Sequence, residues 1–347
     1  MYACNARQRG MSIIELMVGI VIAMLVSLAA ASSAMVFTAS QRQGVGAGGV
    51  GISASTALAA IKNDAALAGL GFFGDAKYLC QNLALSEDDV VKVDGTAFTP
   101  LSVTVDGTDD RIDVIYADRV EAGANVLLNA ASDGSSAEVM SLMPAAVGDA
   151  VLLAPAAGGG TCLVRTVTAQ VASTEDSPQT LTFDNTGEHN KKAFSTAPAF
   201  AEKDRIALLG SLNWNRYRRV DDTLVLERPL TGESAVLARN VIALRAQYGI
   251  TAAAAGATTL ENWQAPSGAF ATLDAAELPR VRALRLGMVT RSPVAQKPDA
   301  GGNCEATLDK PEVFGEQITP AGADWKCYRY RVTTVVVPLR NLVLGLK

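Results

Sequence analysis

The side chains that carry most enzyme chemistry are sparse in this chain and lack a catalytic pattern. Its one histidine, His189, lies in the polar stretch Gly187–Lys191, with no surrounding motif that would mark a nucleophile, a base and an orienting acid. We therefore expect His189 to be a solvated loop side chain rather than a general base. The sequence predicts no enzyme activity and no cofactor.

Carboxylates form the densest group of candidate metal ligands. Asp106, Asp109, Asp110 and Asp113 lie within eight residues, and oxygen ligands at such a spacing are of the kind that Ca²⁺ prefers. The twelve-residue calcium loop is absent, so we favour solvation at a turn and a strand edge, and we predict no metal site. A second acidic run, Glu87–Asp89, is interpreted as a helix start or a charged loop.

The basic and aromatic run Trp214–Arg219 is the feature that could contact DNA. The chain as a whole argues against this, because it has 35 acidic and 30 basic residues and a net charge of −5, which gives a phosphate backbone no electrostatic attraction. One face of an exposed strand would explain the same run. We therefore expect no nucleic-acid partner.

A long apolar segment near the N-terminus is predicted to form a helix, and this helix would position any functional group there. No charged residue occurs from Leu16 to Phe37, and these 22 residues would form a helix about 33 Å long, enough to cross the hydrocarbon core of a bilayer. Arg7 and Arg9 precede the segment and are expected to stay in the cytoplasm. The sequence thus predicts a single-pass membrane protein whose C-terminal body is exported.

Two simpler interpretations of this segment stay open. It could be an ordinary secretory signal peptide, since Ala29–Ala31 offers small residues for cleavage, or a plain signal anchor with no further role. Glu15 argues against both, because a carboxylate costs up to about 2.5–3.5 kcal/mol if it reaches the bilayer centre. Such a residue is expected to need a positive partner.

The residues around Glu15 resemble a known export signal. The run Arg9–Leu16 is similar to the class III signal of type IV prepilins, although that family usually has Phe where this chain has Met11. The resemblance implies that a prepilin peptidase cuts after Gly10, that Met11 becomes the N-methylated first residue, and that Glu15 is the assembly residue. The helix would then assemble subunits into a pilus.

A physical mechanism fits these assignments. Cleavage would create a positive amine on Met11 in an apolar environment, and Glu15 of an incoming subunit could pair with that amine of its neighbour. In a low dielectric such a pair sets register more than it adds net stability. Small residues at Gly19, Ala23 and Ser27 would let two helices approach closely.

The cysteine count fits an oxidising compartment. Removal of residues 1–10 would take Cys4 away and leave four cysteines, which allow three pairings. We favour Cys304 with Cys327 and Cys80 with Cys162, which in the chain-entropy picture would stabilise the fold by about 3.4 and about 4.5 kcal/mol. Four buried free thiols are the alternative.

Composition and periodicity divide the chain into four parts: a leader (1–10), a transmembrane assembly helix (11–37), a glycine-rich break with the amphipathic second half of a long helix (38–74), and a β-rich domain (75–347). Glycine costs up to about 1 kcal/mol each in a helix, so the glycines at 44–51 predict a break or flexible stretch. Their formal GxGxxG pattern follows a membrane helix rather than a strand, so no nucleotide site is predicted.

The predicted fold class is α+β and pilin-like: a long N-terminal transmembrane α-helix packed on a large antiparallel β-sheet domain. Lys62 and Asp64 are expected to point away from the sheet. The predicted buried helix positions are Ile52, Leu58, Ile61 and Leu67. The predicted strands are Arg111–Tyr116, Ala150–Leu153, Thr161–Thr168, Arg205–Leu212, Trp214–Val220, Thr223–Leu226, Val241–Ile250, Val281–Thr290 and Cys327–Leu339. Segments 120–145, 251–275 and 293–325 are expected to be surface loops.

The C-terminal half resembles a second family pattern. Val241–Ile250, Arg282–Ser292 and Tyr328–Asn341 are similar to segments of PilW-type minor pilins and occur in the family's order. The resemblance implies a minor pilin near the pilus tip that helps to prime assembly, supporting adhesion and twitching motility, with other minor pilins, the major pilin and the inner-membrane assembly platform as partners. A minor pseudopilin of a type II secretion system and a membrane-anchored periplasmic enzyme or binding protein are the alternatives.

Overall fold

The computed structural model describes residues 13–74, 77–78, 80–119, 126–157, 159–196, 198–253, 257–274, 277–299 and 301–344. Within these residues the chain has an α+β fold, in which a long N-terminal helix precedes a large and mainly antiparallel β domain. This confirms the fold class that the sequence predicts.

Helix α1 (Ile13–Leu67) is continuous over 55 residues, which corresponds to a length of about 83 Å. The break predicted at residues 44–51 is therefore absent from the backbone. Extending a helix that is already nucleated adds one hydrogen bond per residue, and this can offset the roughly 1 kcal/mol that each glycine costs. A short helix, α2 (Arg340–Leu344), follows the last strand.

The remaining elements are strands, with short 3-10 turns at Gly268–Phe270, Leu278–Arg280 and Trp325–Cys327. The first strands are β1 (Phe73–Gly74), β2 (Lys77–Tyr78), β3 (Cys80–Glu87), β4 (Val90–Ala97), β5 (Leu101–Asp106), β6 (Asp109–Ala117), β7 (Val126–Leu127), β8 (Ser136–Val139), β9 (Ala150–Ala154), β10 (Gly160–Thr166) and β11 (Ala169–Val171). The later ones are β12 (Gln179–Thr182), β13 (Arg205–Gly210), β14 (Leu212–Val220), β15 (Thr223–Arg228), β16 (Glu233–Arg239), β17 (Val241–Ile250), β18 (Asn262–Gln264), β19 (Val281–Arg291), β20 (Glu312–Val313), β21 (Glu316–Gln317) and β22 (Tyr330–Pro338).

Three larger sheets organise these strands. The orders are β4-β3-β10-β9-β13-β7 in a six-stranded sheet, β16-β15-β14-β6-β5 in a five-stranded sheet and β18-β17-β19-β22 in a four-stranded sheet. Among the described strands only β10 and β3 pair in parallel. A three-stranded sheet (β11-β12-β8) and the hairpins β1-β2 and β20-β21 complete the domain.

The second half of α1 lies against the five- and four-stranded sheets. Leu58 and Ile61 of the helix, Tyr217 of β14 and Leu244 and Leu284 of the four-stranded sheet belong to one buried cluster. The six-stranded sheet has its own cores, one on each face, because alternate residues of the fully buried β9 enter different clusters. One end of α1 is thus part of the core of the domain.

The strand predictions after residue 105 agree with the structure to within a few residues, whereas three predicted loops are wrong in part. Segment 120–145 contains β7 and β8, segment 251–275 contains β18, and segment 293–325 contains the hairpin β20-β21. Leu128 and Met143 are fully buried there. Short strands among many Ala, Gly and Ser residues give too weak an alternation to be recognised.

Candidate assembly surface

The first 22 described residues, Ile13–Ala34, form an exposed apolar rod. Their mean hydropathy is 2.6, and none is buried within the chain. Ile13 is 79% exposed and Leu28 is 70% exposed, although side chains of this type normally lie inside proteins. Such a surface is stable only in lipid or against other apolar helices, and its length of about 33 Å suits a bilayer.

Glu15 is the only charged side chain in Ile13–Ala34 and lies in the first turn of α1. An acid at this position is favoured by the partial positive charge of a helix N-terminus. Its side chain is exposed in this structure and therefore accessible to another molecule. Gly10 and Met11 lie outside the described residues, so cleavage, methylation and the Met11 amine stay predictions.

The small residues Gly19, Ala23 and Ser27 repeat every four residues and therefore share one face of the rod. A Cβ built on Gly19 would meet nothing within 4 Å, so the helix surface is open at this position. The hydroxyls of Ser32 and Ser33 both donate to the carbonyl of Ala29, at 2.9 Å, so they carry no unpaired donor into an apolar environment. The rod is thus suited to close helix contacts.

The second half of α1 buries small side chains against the sheets. Leu58 and Ile61 are buried as predicted, but Ile52 is 69% exposed and Leu67 is 40% exposed. Other buried positions are Ala54, Ala57 and Ala65 of the helix and Ala68, which directly follows it. Alanines allow the helix backbone to lie close to the sheets, so the buried face follows them rather than the larger Ile52 and Leu67.

Asp64 joins this helix to the five-stranded sheet, in contrast to the predicted outward orientation. Its Oδ1 accepts a hydrogen bond from the Tyr116 hydroxyl at 3.1 Å. Its Oδ2 accepts from Asn215 Nδ2 and from the Tyr217 hydroxyl, both at 2.5 Å. Burial and the neighbouring carboxylate raise the pKa of Tyr116 to about 12, and they also raise the pKa of Tyr217. Both tyrosine hydroxyls therefore stay donors at neutral pH. We call this group the Asp64 clamp.

Two further contacts hold the helix on the four-stranded sheet. The backbone approaches closely at Gly51, where a Cβ would lie 2.5 Å from the Arg331 guanidinium of β22. Asn341 Nδ2 of α2 donates to the Ala66 carbonyl at 3.2 Å near the end of α1. The clamp, Gly51 and Asn341 fix the helix at three separate points along its buried half.

Two disulfides brace the domain, and they use the pairs that the sequence favours. Cys80–Cys162 joins the neighbouring strands β3 and β10 over a sequence separation of 82. Cys304–Cys327 closes the loop that carries the hairpin β20-β21, over a separation of 23. Cys4 lies outside the described residues.

The expectation for His189 is wrong, because this side chain is only 5% exposed. Its Nδ1 lies 2.9 Å from Glu87 Oε2 and 3.0 Å from the Ser86 carbonyl. Burial opposes the charged form, but the hydrogen bond and charge of Glu87 outweigh it and raise the pKa of His189. Glu87 ends strand β3, so the acidic run Glu87–Asp89 is a strand end and a turn rather than a helix start. The buried pair of His189 and Glu87 therefore has a structural role, because it joins the end of β3 to the segment that contains His189.

The predicted solvation of the aspartate cluster is also wrong, because Asp109, Asp110 and Asp113 are all buried. Asp113 lies 2.7 Å from the Arg216 guanidinium and 3.0 Å from that of Arg111. Asp109 and Asp110 accept hydrogen bonds from backbone N–H groups of β17, at 2.9 and 2.7 Å, and so join the five- and four-stranded sheets. In the described part of the chain, no three His, Cys, Asp or Glu residues are placed to hold a metal ion.

The basic run Trp214–Arg219 forms the inner strand β14 rather than an exposed DNA-binding face. Each of its three arginines already faces a carboxylate at 2.7 Å, which leaves little free positive charge for a phosphate. The pairs are Arg216–Asp113, Arg218–Glu227 and Arg219–Asp109.

Two protein-family models match this chain, one near its N-terminus and one in its C-terminal half. The prokaryotic N-terminal methylation motif matches residues 5–31, which include the first part of the apolar rod. The family model of Type IV Pilus-assembly protein W (PilW) matches residues 217–341, which run from β14 into α2. The chain is thus similar to PilW-family proteins over residues 217–341 and carries the N-terminal methylation motif over residues 5–31.

A solved structure and a search of curated proteins complete the comparison. A type IV-like pilin from Thermus thermophilus is 11% identical, with a TM-score of 0.34, and the match covers 84% of this chain and 96% of the other. The search of curated proteins finds no match to this chain. The exposed apolar helix and the methylation motif together fit a membrane-anchored pilin.

The sequence alone did not reveal the Asp64 clamp. Asp64 stands between the buried positions Ile61 and Ala65, and this is the signal that could have found it, because an acid inside a buried stripe needs donors opposite. Those donors come from β6 and β14, about 50 and 150 positions further along the chain. No local pattern connects them to the helix.

Proposed function

We propose that this protein is a minor pilin that helps to start and cap type IV pilus assembly. One observation supports the proposal most directly: an exposed apolar helix carrying a single acid, Glu15, runs without interruption into the core of a folded domain. A helix built this way can transmit the position of the domain to neighbouring subunits. An anchor alone would need neither the acid nor a continuous helical connection to the domain.

The proposed pathway begins at the inner membrane with the body in the periplasm. A prepilin peptidase cuts the chain after Gly10, which removes residues 1–10, and then methylates the new amine of Met11. Glu15 of one subunit then pairs with the Met11 amine of the next, with the faces of Gly19, Ala23 and Ser27 in contact. The assembly platform moves the subunits into a pilus, where other minor pilins and the major pilin are the neighbours.

The position of the subunit is the finer part of the proposal. The β domain extends over about 270 residues, and such a bulky body is easier to place at the tip than within a closely packed shaft. A tip position would connect the protein to adhesion and twitching motility. It also implies that the protein acts as structure and as a peptidase substrate, and not as an enzyme.

The test separates processing from assembly. In cells that carry the pilus machinery, Glu15→Val should leave leader removal intact but reduce the amount of this subunit in sheared filaments at least about tenfold, because the paired charge is lost. Glu15→Asp keeps the charge and should retain part of the incorporation, and Ile14→Val is the matched control that should behave as wild type.

Gly10→Ala should block leader removal altogether and thereby prevent assembly. Incorporation of Glu15→Val at the wild-type level would contradict the assembly role. Incorporation into a secretion pseudopilus instead of a surface pilus would favour the minor pseudopilin alternative.

A further inference from the structure

A cavity of about 980 Å³ opens between the β5–β6 hairpin, strand β17 and the loop 313–322. Seven charged side chains contribute to its lining, four carboxylates and three guanidinium groups. They are Asp109, Asp110, Asp222, Glu316, Arg219, Arg245 and Arg291. This imbalance distinguishes the cavity from an ordinary surface depression.

Each guanidinium group of the lining already has a carboxylate partner. The ion pairs are Arg219–Asp109 at 2.7 Å, Arg245–Asp109 at 3.1 Å, Arg245–Glu316 at 2.9 Å and Arg291–Asp222 at 2.7 Å. Three cations and three carboxylates therefore neutralise one another. The remaining carboxylate is Asp110.

Asp110 is 6% exposed, so more than nine-tenths of it is buried. Its Oδ2 accepts a hydrogen bond from the Ala246 N–H at 2.7 Å, whereas Oδ1 has no donor among the described residues. No Lys, Arg or His nitrogen of the described chain lies within 4.0 Å of this carboxylate. Burial raises the pKa of Asp110 to about 6, although the charge of Arg245 acts in the opposite direction. At neutral pH Asp110 is therefore mostly an ionised carboxylate that forms no direct ion pair within the described residues.

We propose that this cavity receives a lysine or arginine side chain of a partner protein, whose cationic head pairs with Asp110. The charge of the cavity, one carboxylate in excess, favours a single cation over an anion or a neutral group. Hydrogen-bond donors on an ammonium or guanidinium group would also satisfy the free Oδ1.

The apolar part of the lining suits the stem of such a side chain. Val105, Pro266 and Phe314 lie around the cavity, and Val105 at the hairpin is 64% exposed. Long basic side chains bury their methylene groups on surfaces of this kind while the charged head reaches a partner. A protein surface would also cover Val105, which a free amine would leave in water. This favours a side chain of a protein over a small free amine.

The test uses the full-length chain in detergent micelles and two capped amino acids, N-acetyl-lysinamide and N-acetyl-argininamide, titrated by ligand-observed NMR at pH 7.5. At least one of them should bind to wild type. Asp110→Asn keeps the shape and removes the charge, so it should weaken binding at least about tenfold. Glu175→Gln, an exposed carboxylate on another sheet connection, is the matched control and should bind as wild type. N-acetyl-norleucinamide, which lacks the charge, should not bind.

A second measurement guards against a misfolded variant. Lowering the pH to 5 should weaken binding to wild type, because Asp110 becomes protonated, and this pH effect should disappear in Asp110→Asn. The groups that interact with Asp110 are its strand neighbour Asp109, Arg245 and Tyr248 of β17, and Glu316 of β21. They are unchanged in that variant.

Three results would overturn the proposal. They are equal binding to wild type and Asp110→Asn, equal binding of the norleucine compound, and no binding of either basic compound. Spermidine binding more than about tenfold more tightly than both capped amino acids would overturn the assignment to a protein side chain in favour of a free polyamine.

Discussion

Asp64 shows how a single carboxylate can join an assembly helix to a folded body. It accepts three hydrogen bonds from two strands that are far away in sequence, and it does so at the buried face of the helix. A charged acceptor forms stronger bonds than a neutral one, typically about 1.5–3 kcal/mol each. The clamp therefore resists sliding of the helix along the sheet, which apolar contacts alone do not.

Asp64→Asn should lower the free energy of unfolding by about 1–3 kcal/mol, because the amide keeps the shape but brings an extra donor next to two hydroxyls. Denaturant unfolding in mild detergent, followed by tryptophan fluorescence, measures this change. Asp176→Asn, at an exposed turn, is the control and should stay within about 0.5 kcal/mol of wild type. Equal midpoints for both variants would show that the clamp contributes nothing to docking.

The buried pair of His189 and Glu87 should make stability depend on pH in a defined window. The pKa of His189 is raised from its ordinary 6.5, so its contribution is present below 6.5 and is lost as pH rises through the folded value. Burial opposes ionisation of Glu87, but His189 lowers the pKa of Glu87 below its ordinary 4.5, so this contribution is lost as pH falls through the folded value. The pair therefore stabilises most between about 4.5 and 6.5.

His189→Gln should accordingly cost more stability at pH 5.5 than at pH 8.5. The charged groups around the pair are Asp88, Glu188, Lys191, Lys92 and Arg165. Unfolding curves of wild type and the variant at both pH values measure the difference. A destabilisation that is the same at the two pH values would mean that the imidazole is held neutral and acts only by packing.

At the residue scale, the sequence predicted what depends on local chemistry and missed what depends on distant partners. Glu15 stands out because its neighbours are all apolar, and the cysteines stand out because they are few. His189 and the aspartates at 109–113 look solvated in sequence, since the groups that bury and neutralise them, Glu87 and several arginines, lie far along the chain.

At the element scale, the continuity of α1 is the main difference between expectation and structure. Single residues of low helix propensity argue for a break at residues 44–51, but the helix continues on both sides of them, so these residues extend a helix that is already nucleated. The cost of the glycines is stored in this stretch as reduced local stability. Flexibility at residues 44–51 is still a prediction. It now means that this part of the helix opens transiently, and not that the helix is interrupted.

Gly46→Ala combined with Gly48→Ala should stabilise the helix by about 0.5–1 kcal/mol per site, because alanine loses less backbone entropy on folding. Hydrogen exchange of the amides at 44–51 should slow accordingly. Gly107→Ala is the opposite control: its φ of +65° is strained for alanine, so this change should destabilise the protein. Unchanged exchange at 44–51 in the double variant would mean that this stretch is not helical in the protein.

The two disulfides act on different elements and should differ in their contribution. Replacing Cys80 and Cys162 together by serine should cost about 4.5 kcal/mol in the chain-entropy picture, and replacing Cys304 and Cys327 about 3.4 kcal/mol. Denaturant midpoints of the two double variants measure this order. Mass spectrometry of the unreduced mature protein should find no free thiol, and four free thiols would contradict both bonds.

At the scale of the whole molecule, the protein consists of an exposed apolar rod and a β domain that contains the other end of the same helix. The sequence predicted this division, because hydropathy and charge change abruptly after residue 37 and strand patterns begin beyond residue 100. It did not predict the three separate sheets, since pairings such as β3 with β10 or β6 with β14 join residues about 80 to 100 positions apart. Sequence alternation gives strands, whereas tertiary packing selects their partners.

The central claim is that the apolar rod begins as a processed, methylated N-terminus and serves assembly. Mass spectrometry of the N-terminal peptide, from protein isolated from sheared filaments, tests it most directly. We expect a chain that begins at Met11, carries one methyl group on its amine and retains Glu15. A chain that begins near residue 32, or one that still carries residues 1–10 in a working filament, would contradict the account.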